Sequence, residues 1–325
     1  MKTISKKESR PKESTRSESS DCLNRWAVIL AGGDGTRLRS FTRTITGDER
    51  PKQFCPIVYG RTLLDQTRDR VATSVSEDQT LLVLTESHEP YYKQLTTNLS
   101  RDLLLIQPEN KGTAAAIIYA LMRIAWKSPG ATVAIFPSDH YFSDDATFMS
   151  HVESAFDASL TTPAIVTLLG ITPENPEVEY GWIEPQTSIL EKLPRAISRV
   201  RRFWEKPSAN LASRLMKQGC LWNSFVMVGR VDAFLRMARR TLPELCDFFA
   251  AIVPSFETPA ESSQLRELYS WIPSTNFSQE VLAMRPDDLA VMRVEKVGWS
   301  DLGEPSRVLT TLARLGVEAQ LAASA

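Results

Sequence analysis

VILAGGDGTRLRSFTRTITGDERPKQF, residues 28–54, opens with an apolar run, continues with three glycines within four positions and then places arginines on a predicted helix. A buried strand, a glycine turn and a helix in this order are typical of the start of a βαβ unit. Glycines let the backbone turn sharply and bring its N–H groups close to a ligand, and the helix N-terminus favours an anion. The stretch therefore predicts an α/β protein with a phosphate site after its first strand.

Two well-known phosphate-loop motifs do not fit this turn. GxGxxG would require glycine at Leu38, and the P-loop would require Gly-Lys-Ser/Thr. A tight turn without a ligand is therefore an alternative interpretation. The charges favour the phosphate, because Arg37 follows the turn directly and Lys52 lies in RPKQF.

Short apolar, β-branched runs alternate with helical patterns through the first half of the chain. The predicted strands are WAVILA (26–31), TLLVLT (80–85), LLLIQ (103–107), TVAIFPSD (132–139) and AIVTLLGI (164–171). An Ala-rich helix is predicted over 113–127, with Thr113 as its N-cap. This alternation predicts an α/β fold, a Rossmann-like, mostly parallel sheet with helices on both faces. Such sheets bind ligands at the carboxyl ends of their strands, where AGGDG, QPENKGT and PSDH lie.

The second half of the chain has a looser pattern. Strands or β-hairpins are expected in YGWIEP (180–185), SRVRRFWEKP (198–207), CLWNSFVMVG (220–229) and LAVMRVEKVGWSDLG (289–303), with helices over 208–218 and 230–240. One α/β unit elaborated by β-hairpins fits this pattern better than two independent domains. We expect a disordered, mixed-charge tail over 1–24, one folded domain over 25–312 and a short C-terminal end over 313–325.

Composition excludes several classes of protein. The 325 residues are 42% hydrophobic and 24% charged, and no apolar stretch of the sequence approaches the roughly 20 residues that cross a bilayer. Residues 1–22 lack the apolar region of a signal peptide, and a net charge of −1 lacks the basic footprint of a nucleic-acid binder. We therefore expect neither a membrane nor a nucleic acid as partner. The scattered cysteines favour a cytoplasmic location over a zinc site or a disulfide framework: Cys22, Cys55, Cys220 and Cys246.

Several blocks of the sequence carry a family resemblance. AVILAGGDGTRL followed by RPKQF resembles the signature of the sugar-1-phosphate nucleotidyltransferases, and PKQF is similar to the mannose-1-phosphate guanylyltransferases. Further similar blocks follow in order: PENKGTAAAI, FPSDH, GITPENPEVEYGWIEP, FWEKP, LWNS and GWSDLG. The resemblance covers roughly residues 26 to 310 and implies the nucleotide-diphospho-sugar transferase type of fold for the domain over 25–312.

The resemblance implies a reaction between two phosphate compounds. The sugar 1-phosphate, most simply mannose 1-phosphate, attacks the α-phosphorus of a nucleoside triphosphate, most simply GTP, and pyrophosphate leaves. The attacking oxygen is already anionic, so catalysis is mainly positioning and charge stabilisation. By resemblance, Arg37 stabilises the departing pyrophosphate and Lys52 binds the α-phosphate or the attacking phosphate. Asp139 and Asp301 match the family's ligands to Mg²⁺.

The same resemblance implies the remaining substrate contacts. The nucleotide is expected against the first strand end, the glycine loop and the start of the Ala-rich helix: Leu30, Ala31, Gly32, Gly33, Gly35, Thr36, Gln107, Gly112 and Thr113. The sugar phosphate is expected against Gly181, Glu205, Lys206 and Asn223. His140 and Trp222 are expected to be structural.

Three places depart from the family pattern, namely Arg39 to Thr42, Lys111-Gly112 and Asn276. The first two of these motivate an alternative, a non-catalytic homologue that binds nucleotide sugars and regulates a partner. A second alternative is the same reaction with another sugar 1-phosphate, and the residues by themselves exclude no nucleobase. A glycosyltransferase is a weaker alternative, because Ser-Asp-His stands where those enzymes carry Asp-x-Asp.

The resemblance ends near residue 310, and the roughly 15 residues that follow are too few for the cupin or β-helix domain of longer relatives. We therefore expect neither isomerase activity nor assembly through such a domain. A homodimer that forms through the second half is still possible.

Overall fold

A computed structural model of the protein describes residues 24–189 and 197–316. The strands are β1 (Arg25–Leu30), β2 (Thr80–Thr85), β3 (Leu104–Gln107), β4 (Thr132–Pro137), β5 (Val166–Ile171), β6 (Trp182–Ile189), β7 (Ile197–Trp204), β8 (Leu221–Arg230) and β9 (Leu289–Val294). Within these ranges they form one sheet with the order β3-β2-β1-β4-β8-β5-β9-β7-β6.

Helices connect most of these strands. They are α1 (Arg39–Thr46), α2 (Leu63–Val71), α3 (Glu89–Tyr92), α4 (Gly112–Lys127), α5 (Asp145–Thr161), α6 (Ala209–Lys217), α7 (Val231–Thr241), α8 (Pro243–Ile252), α9 (Glu261–Trp271) and α10 (Pro305–Arg314). Among the helices in the described part of the chain, none is long and apolar enough to cross a membrane.

Seven of the nine described strands run in the same direction, which agrees with the mostly parallel sheet that the sequence predicts. β1 lies between β2 and β4, both parallel to it, and β3 continues the parallel half beyond β2. β7 and β8 run opposite to the other described strands, because β8 pairs antiparallel with β4 and β5 and β7 pairs antiparallel with β6 and β9. The carboxyl ends of β1 to β4 therefore meet at one edge, where ligands of α/β sheets bind.

Alternating residues of the strands face two cores. Val28 belongs to the apolar cluster that includes α4, α7, α8 and α9 on one face, whereas Ala27 and Ile29 belong to the cluster that includes α2, α5 and α6 on the other. Because side chains alternate along a strand, burial on both faces requires the near-continuous apolar runs seen in the sequence. The prediction of helices on both faces is confirmed.

A third, smaller apolar cluster lies beside the ligand edge. It joins Leu38 next to Arg37, Cys55 near Lys52, and Leu302 next to Asp301, and it includes Val308 and Leu312 of α10. Three segments that carry predicted site residues are therefore packed against one another. Such packing fixes their relative positions before any ligand binds.

Two local predictions are wrong. Thr113 is not the N-cap of α4, because the helix begins at Gly112 and Lys111 takes the cap position; the Thr113 hydroxyl instead accepts a hydrogen bond from the Phe277 N–H at 2.9 Å. The predicted strand over 289–303 ends at Val294, and GWSDLG forms a loop. The predicted tail, apart from Asn24, and the chain end from residue 317 lie outside the described residues.

Candidate active site

The glycine loop, residues 31–35, follows β1 and is held in place by the side chain of Gln53. The Gln53 amide donates to the carbonyl oxygens of Ala31 at 3.0 Å and Gly33 at 2.7 Å. The Ala31 N–H donates to the carbonyl of Val83 on β2 at 2.8 Å. These bonds turn carbonyl oxygens toward the protein. Gln53 belongs to the RPKQF block, and sequence reasoning gave it no role.

Close packing at two glycines explains why the loop carries them. A Cβ on Gly32 would lie 2.8 Å from both the Gln107 amide nitrogen and the Thr85 hydroxyl. Gly35 has a left-handed backbone with φ of +57°, and its Cβ would lie 3.2 Å from the backbone nitrogen of Lys52. A larger residue at either position would displace the loop from its neighbours.

Asp34, within the loop, joins it to the ends of β2 and β3. Its carboxylate contacts the His88 ring nitrogen Nε2 at 3.1 Å and accepts from the Asn110 amide at 2.8 Å. Asn110 in turn accepts from the Gly112 N–H at 3.0 Å. Burial lowers the pKa of His88 although Asp34 opposes this shift. Three loops at the carboxyl ends of adjacent strands are thereby cross-linked through polar side chains.

A cleft of about 420 Å³ opens beside this loop. The predicted nucleotide residues that line it are Leu30, Gly32, Gly33, Gln107, Gly112 and Thr113, and the predicted metal ligand Asp139 lines it as well. Ala31, Gly35 and Thr36 belong to the adjoining loop and are not among the described lining residues. Further lining residues are Gln53, Asn110, Ser138, His140, Phe225, Ser274, Thr275 and Asn276.

The far wall of the cleft is built by backbone pairing between α4 and residues 274–276. The Thr275 N–H donates to the Lys111 carbonyl, and the Thr275 carbonyl accepts from the Ala114 N–H, both at 3.0 Å. Gly112 has φ of +81°, and a Cβ there would overlap the Thr275 carbonyl oxygen. Only glycine satisfies both the left-handed conformation and this close approach.

Lys52 lies where the cleft meets the loop that carries Asp301. Its side chain is 10% exposed, and Nζ lies 3.2 Å from Oδ2 of Asp139. The same amino group donates to the backbone carbonyls of Asp301 and, at 3.3 Å, Leu302. Burial opposes ionisation of Asp139, but Lys52 and His140 outweigh it, so the pKa of Asp139 lies below its ordinary value. The site thus holds a buried cation against an ionised carboxylate.

Asp301 is oriented by two hydrogen-bond donors and one ion pair, all at Oδ1. The Tyr180 hydroxyl donates to this oxygen at 3.0 Å and the Gly303 N–H at 2.9 Å, and Nε of Arg307 lies 3.0 Å from it as an ion-pair partner. Arg307 also pairs with Glu177 at 3.0 Å, and its guanidinium lies 4.9 Å from the Tyr180 ring centroid. Sequence reasoning missed Arg307, which lies in α10 outside the quoted blocks.

The Asp139 carboxylate and the Asp301 backbone carbonyl both contact Lys52, and carboxylates suit a hard divalent cation. Among the described residues, no group of three or more His, Cys, Asp or Glu could hold a metal ion unaided. Mg²⁺ is commonly bound by one or two carboxylates together with substrate phosphates and water. Asp139 and Asp301 thus offer carboxylates, the donor type that Mg²⁺ prefers in proteins.

The predicted sugar residues Gly181, Glu205 and Asn223 lie together. A Cβ on Gly181 would lie 3.1 Å from a Glu205 carboxylate oxygen and 3.3 Å from the Asn223 Cβ. The Asn223 N–H donates to the Gly181 carbonyl at 2.8 Å, whereas its side-chain oxygen accepts from the Phe225 N–H at 3.0 Å. Burial raises the pKa of Glu205, and Lys206 offsets part of the shift.

Glu179 joins the last two predicted residues, Arg37 and Lys206. Its Oε2 lies 3.1 Å from Nη1 of Arg37 and 3.2 Å from Nζ of Lys206. Hydrogen bonding from Lys206 is the main reason why the pKa of Glu179 lies below its ordinary value. Sequence reasoning missed Glu179, because PEVEYG contains two glutamates and no local pattern distinguishes them.

His140 and Trp222, which are both expected to be structural, make different contacts near the site. His140 lines the cleft, and its Nδ1 lies 3.3 Å from Nε1 of Trp299. Trp222 is buried and packs edge-on against Tyr180, with ring centroids 5.1 Å apart. Trp222 is thus part of the apolar packing behind the sugar residues.

Comparison with known proteins gives consistent matches over most of the chain. The sequence profile of the nucleotidyl transferase family matches residues 26–315. The chain is 28% identical over 286 residues to the xanthan biosynthesis protein XanB of Xanthomonas campestris pv. campestris, an alignment of 87% of this chain and 58% of that protein. It is 26% identical over 282 residues to a mannose-1-phosphate guanylyltransferase of Escherichia coli, covering 85% and 59% of the two chains.

The fold is also similar to solved structures. A crystal structure described as a mannose-1-phosphate geranyltransferase from Thermus thermophilus superposes with a TM-score of 0.74 at 26% identity, covering 86% of this chain and 76% of that one. The chain therefore spans less than two thirds of the length of the two sequence relatives and most of the solved structure.

Proposed function

The chain belongs to the nucleotidyl transferase family, and on that premise we propose that it joins a nucleoside triphosphate to a sugar 1-phosphate with release of pyrophosphate. The substrates proposed are GTP and mannose 1-phosphate, and the product is GDP-mannose. The name of the relative at 26% identity, a mannose-1-phosphate guanylyltransferase, supports this choice of substrates. The observation that carries the proposal is the position of Lys52, between the cleft that would take the nucleotide and the loop of Asp301.

The reaction is a displacement at the α-phosphorus. A phosphate oxygen of the sugar 1-phosphate forms the new bond to that phosphorus, the bond to the β-phosphate oxygen breaks, and pyrophosphate leaves with the electron pair. Negative charge is present on both reactants and grows on the leaving group, so positioned cations provide the main stabilisation. No proton has to be removed from the nucleophile, so the reaction requires positioned cations such as Lys52, Arg37 and Lys206 and no general base.

The amino group of Lys52 is suited to bring the two phosphates together. Its surroundings are largely buried, and a charge in a water-poor site interacts more strongly with a phosphate than an exposed charge does. Asp139 and two backbone carbonyls hold the ammonium in place. The contacts described for Lys52 include no second protein cation. Lys52 would therefore meet the α-phosphate, or the attacking phosphate, in a fixed position.

Arg37 and the glycine loop are suited to the leaving pyrophosphate. Arg37 follows the loop directly and its side chain is 54% exposed, so it can swing toward an anion at the loop. Asp139 and Asp301 would hold Mg²⁺, which would neutralise part of the phosphate charge. Gly181, Glu205, Lys206 and Asn223 would bind the sugar and its phosphate on the other side of Lys52.

The cellular location and assembly proposed are a cytoplasmic enzyme that can form a homodimer. The three described cysteines, Cys55, Cys220 and Cys246, are buried and unpaired, as in a reducing compartment. Nucleoside triphosphates are also supplied in the cytoplasm. The homodimer rests on the sequence prediction.

A grid of substrates tests the proposal. Purified protein with Mg²⁺ is given GTP, ATP, UTP or dTTP together with mannose, glucose or heptose 1-phosphate, and pyrophosphate release is measured. We expect the strongest signal from GTP with mannose 1-phosphate. A different single combination would correct the substrates but keep the reaction. A blank grid from folded protein that binds GDP-mannose would contradict the reaction and favour a regulatory homologue.

A further inference from the structure

The contact between Glu179, Arg37 and Lys206 joins the two halves of the proposed site through one oxygen atom. Arg37 lies 142 residues before Glu179 in the chain and Lys206 lies 27 residues after it, yet both cations end on Oε2, at 3.1 and 3.2 Å. Arg37 belongs to the nucleotide side and Lys206 to the sugar side. One carboxylate therefore pairs with a cation from each proposed substrate site.

The backbone at Glu179 is held in place by hydrogen bonds to the Glu177 side chain. The Glu177 carboxylate accepts the backbone N–H groups of Val178 at 2.8 Å and Glu179 at 3.1 Å, and it also pairs with Arg307. The next residue, Tyr180, is anchored by its hydroxyl bond to Asp301. The backbone that carries Glu179 is thus fixed to the same framework as the predicted metal ligand, while its side chain reaches toward the two cations.

The two cations themselves are placed where an anion can reach them. The side chains of Arg37 and Lys206 are 54% and 50% exposed, so solvent and ligands have access to both. Lys206 has a left-handed backbone with φ of +44°, a conformation that non-glycine residues adopt rarely. Such strained backbones are found where a side chain must be aimed at a particular point. The Lys206 side chain is aimed at the Glu179 carboxylate.

We propose that Glu179 is an internal competitor of the substrate phosphate groups, because its carboxylate competes with them for Arg37 and Lys206. It holds the two cations together in the free protein and is displaced when the phosphate of either substrate binds. This proposal rests on the proposed function, because it takes Arg37 and Lys206 as phosphate-binding residues. A phosphate at either cation repels the carboxylate and takes over its hydrogen bonds.

The shared oxygen gives the proposal a further consequence. Whichever substrate binds first must displace Glu179, and that displacement also frees the other cation. The second substrate then binds without this penalty, so each substrate strengthens the binding of the other. Two separate carboxylates, one for each cation, would give competition without this mutual effect.

The first test measures anion affinity without reference to sugar or base. Calorimetric titration of the full chain with inorganic pyrophosphate, at constant Mg²⁺, compares the wild-type protein with Glu179→Gln and with Glu174→Gln. Glu174 is the matched control, because it lies in the same loop and pairs with Arg314 at 3.0 Å on the surface. Exposed ion pairs are individually weak, so we expect Glu179→Gln to bind pyrophosphate about two- to tenfold more tightly and Glu174→Gln to match the wild type.

Two controls separate competition from a general structural effect. The gain in pyrophosphate affinity should disappear when Arg37→Met is combined with Glu179→Gln. It should also become smaller at high ionic strength, because exposed charges are screened. Glu179→Ala should show the same gain if Glu179→Gln is poorly folded, and thermal unfolding checks both variants. Unchanged or weaker binding of pyrophosphate by folded Glu179 variants would overturn the proposal.

The second test measures the coupling between substrates. An α,β-methylene analogue of GTP and mannose 1-phosphate are titrated separately and then each in the presence of the other. The wild type should show mutual strengthening that Glu179→Gln reduces to nearly none; equal coupling in both would overturn the shared-displacement step. If pyrophosphate binding responds as expected but neither substrate binds the wild type, the internal competitor stands and the proposed substrates are wrong.

Discussion

Nζ of Lys52 lies 3.2 Å from Oδ2 of Asp139, although the two residues come from different connections of the sheet. Lys52 lies between β1 and β2, and Asp139 follows β4. Asp139 lines the cleft, and Lys52 continues from it to the backbone carbonyls of Asp301 and Leu302. The pair therefore holds three segments at the point where the proposed reaction takes place.

Replacing Lys52 by Met should remove most of the activity. Met preserves much of the side chain's length while removing the charge that would meet the substrate phosphates. Loss of one positioned stabilising group typically lowers turnover by about 10²- to 10³-fold, and we expect a loss of this size in kcat. Pyrophosphate release measures it. Lys93→Met, at an exposed lysine paired with Glu89, is the control and should retain wild-type turnover. Near-normal turnover in Lys52→Met would refute the role of this residue.

Replacing Gly112 by Ala should destabilise the protein more than the same change at Gly47. Both glycines have a left-handed backbone, with φ of +81° and +79°, but a Cβ at Gly47 would meet no atom within 4 Å. We expect Gly47→Ala to lose about 1 kcal/mol of unfolding free energy through backbone strain. Gly112→Ala should lose roughly 1–3 kcal/mol more, because its Cβ overlaps the Thr275 carbonyl. Urea denaturation compares the two, and equal losses would show that the cleft wall adapts freely.

Replacing Arg307 by Met should weaken the site through Asp301. The guanidinium holds the Asp301 carboxylate and the Glu177 carboxylate at 3.0 Å each, so its loss leaves two acidic groups close together. Groups that orient a metal ligand typically contribute about 10- to 100-fold to metal affinity or activity. We expect the concentration of Mg²⁺ needed for half-maximal pyrophosphate release to rise accordingly.

The control for that change lies in the same helix. Arg314 pairs with Glu174 on the surface, and both side chains are exposed. Arg314→Met should leave the magnesium dependence unchanged and alter stability by less than about 1 kcal/mol. If both variants shifted the magnesium dependence equally, the effect would be one of overall charge and not of the Asp301 contact.

The buried Glu205 should make stability depend on pH in a defined direction. Burial raises the pKa of Glu205 above its ordinary value of 4.5, so the folded state favours the protonated form. The stability associated with this preference is fully present below the unfolded pKa and is lost as pH rises through the folded one. Glu205→Gln, which imitates the protonated form, should therefore match the wild type at low pH and exceed it near neutral pH.

Urea midpoints at about pH 3.5, below the unfolded pKa, and at about pH 7.5 test this prediction. Exposed Glu174 provides the control, since Glu174→Gln should show no comparable gain on going to neutral pH. A Glu205→Gln variant that is less stable than the wild type at neutral pH would mean that the carboxylate is stabilised by its neighbours more than burial disfavours it.

Sequence patterns predict the parallel half of the fold well, because its signals are local. Neighbouring residues alone identify β1, β2 and the glycine turn after β1 in the sequence. The structure has both strands at the predicted places. β9 is different. The run from Leu289 contains no obvious break, but Lys296 and Gly298 both adopt left-handed conformations and turn the chain away from the sheet. A lysine in that conformation has no sequence signal.

Contacts distant in sequence explain what was missed in the site. Thr113 has the residue type of an N-cap, but its hydroxyl is used by Phe277, 164 residues later. The partners of Glu179 and Arg307 are likewise distant, with Glu177 130 residues before Arg307. Gln53 lies within RPKQF, but its hydrogen bonds to the glycine loop form only when the chain has folded, so the sequence gives no sign of them. The roles given to the predicted site residues remain predictions for the experiments above.

The most direct test of the account follows the oxygen atoms of the sugar phosphate. Mannose 1-phosphate labelled with ¹⁸O at its three non-bridging phosphate oxygens is incubated with GTP, Mg²⁺ and the protein, and the products are analysed by mass spectrometry. Attack by the sugar phosphate on the α-phosphorus predicts GDP-mannose that carries all three labels and pyrophosphate that carries none. Label in the pyrophosphate, or pyrophosphate released with GMP and without a sugar nucleotide, would contradict the proposed transfer.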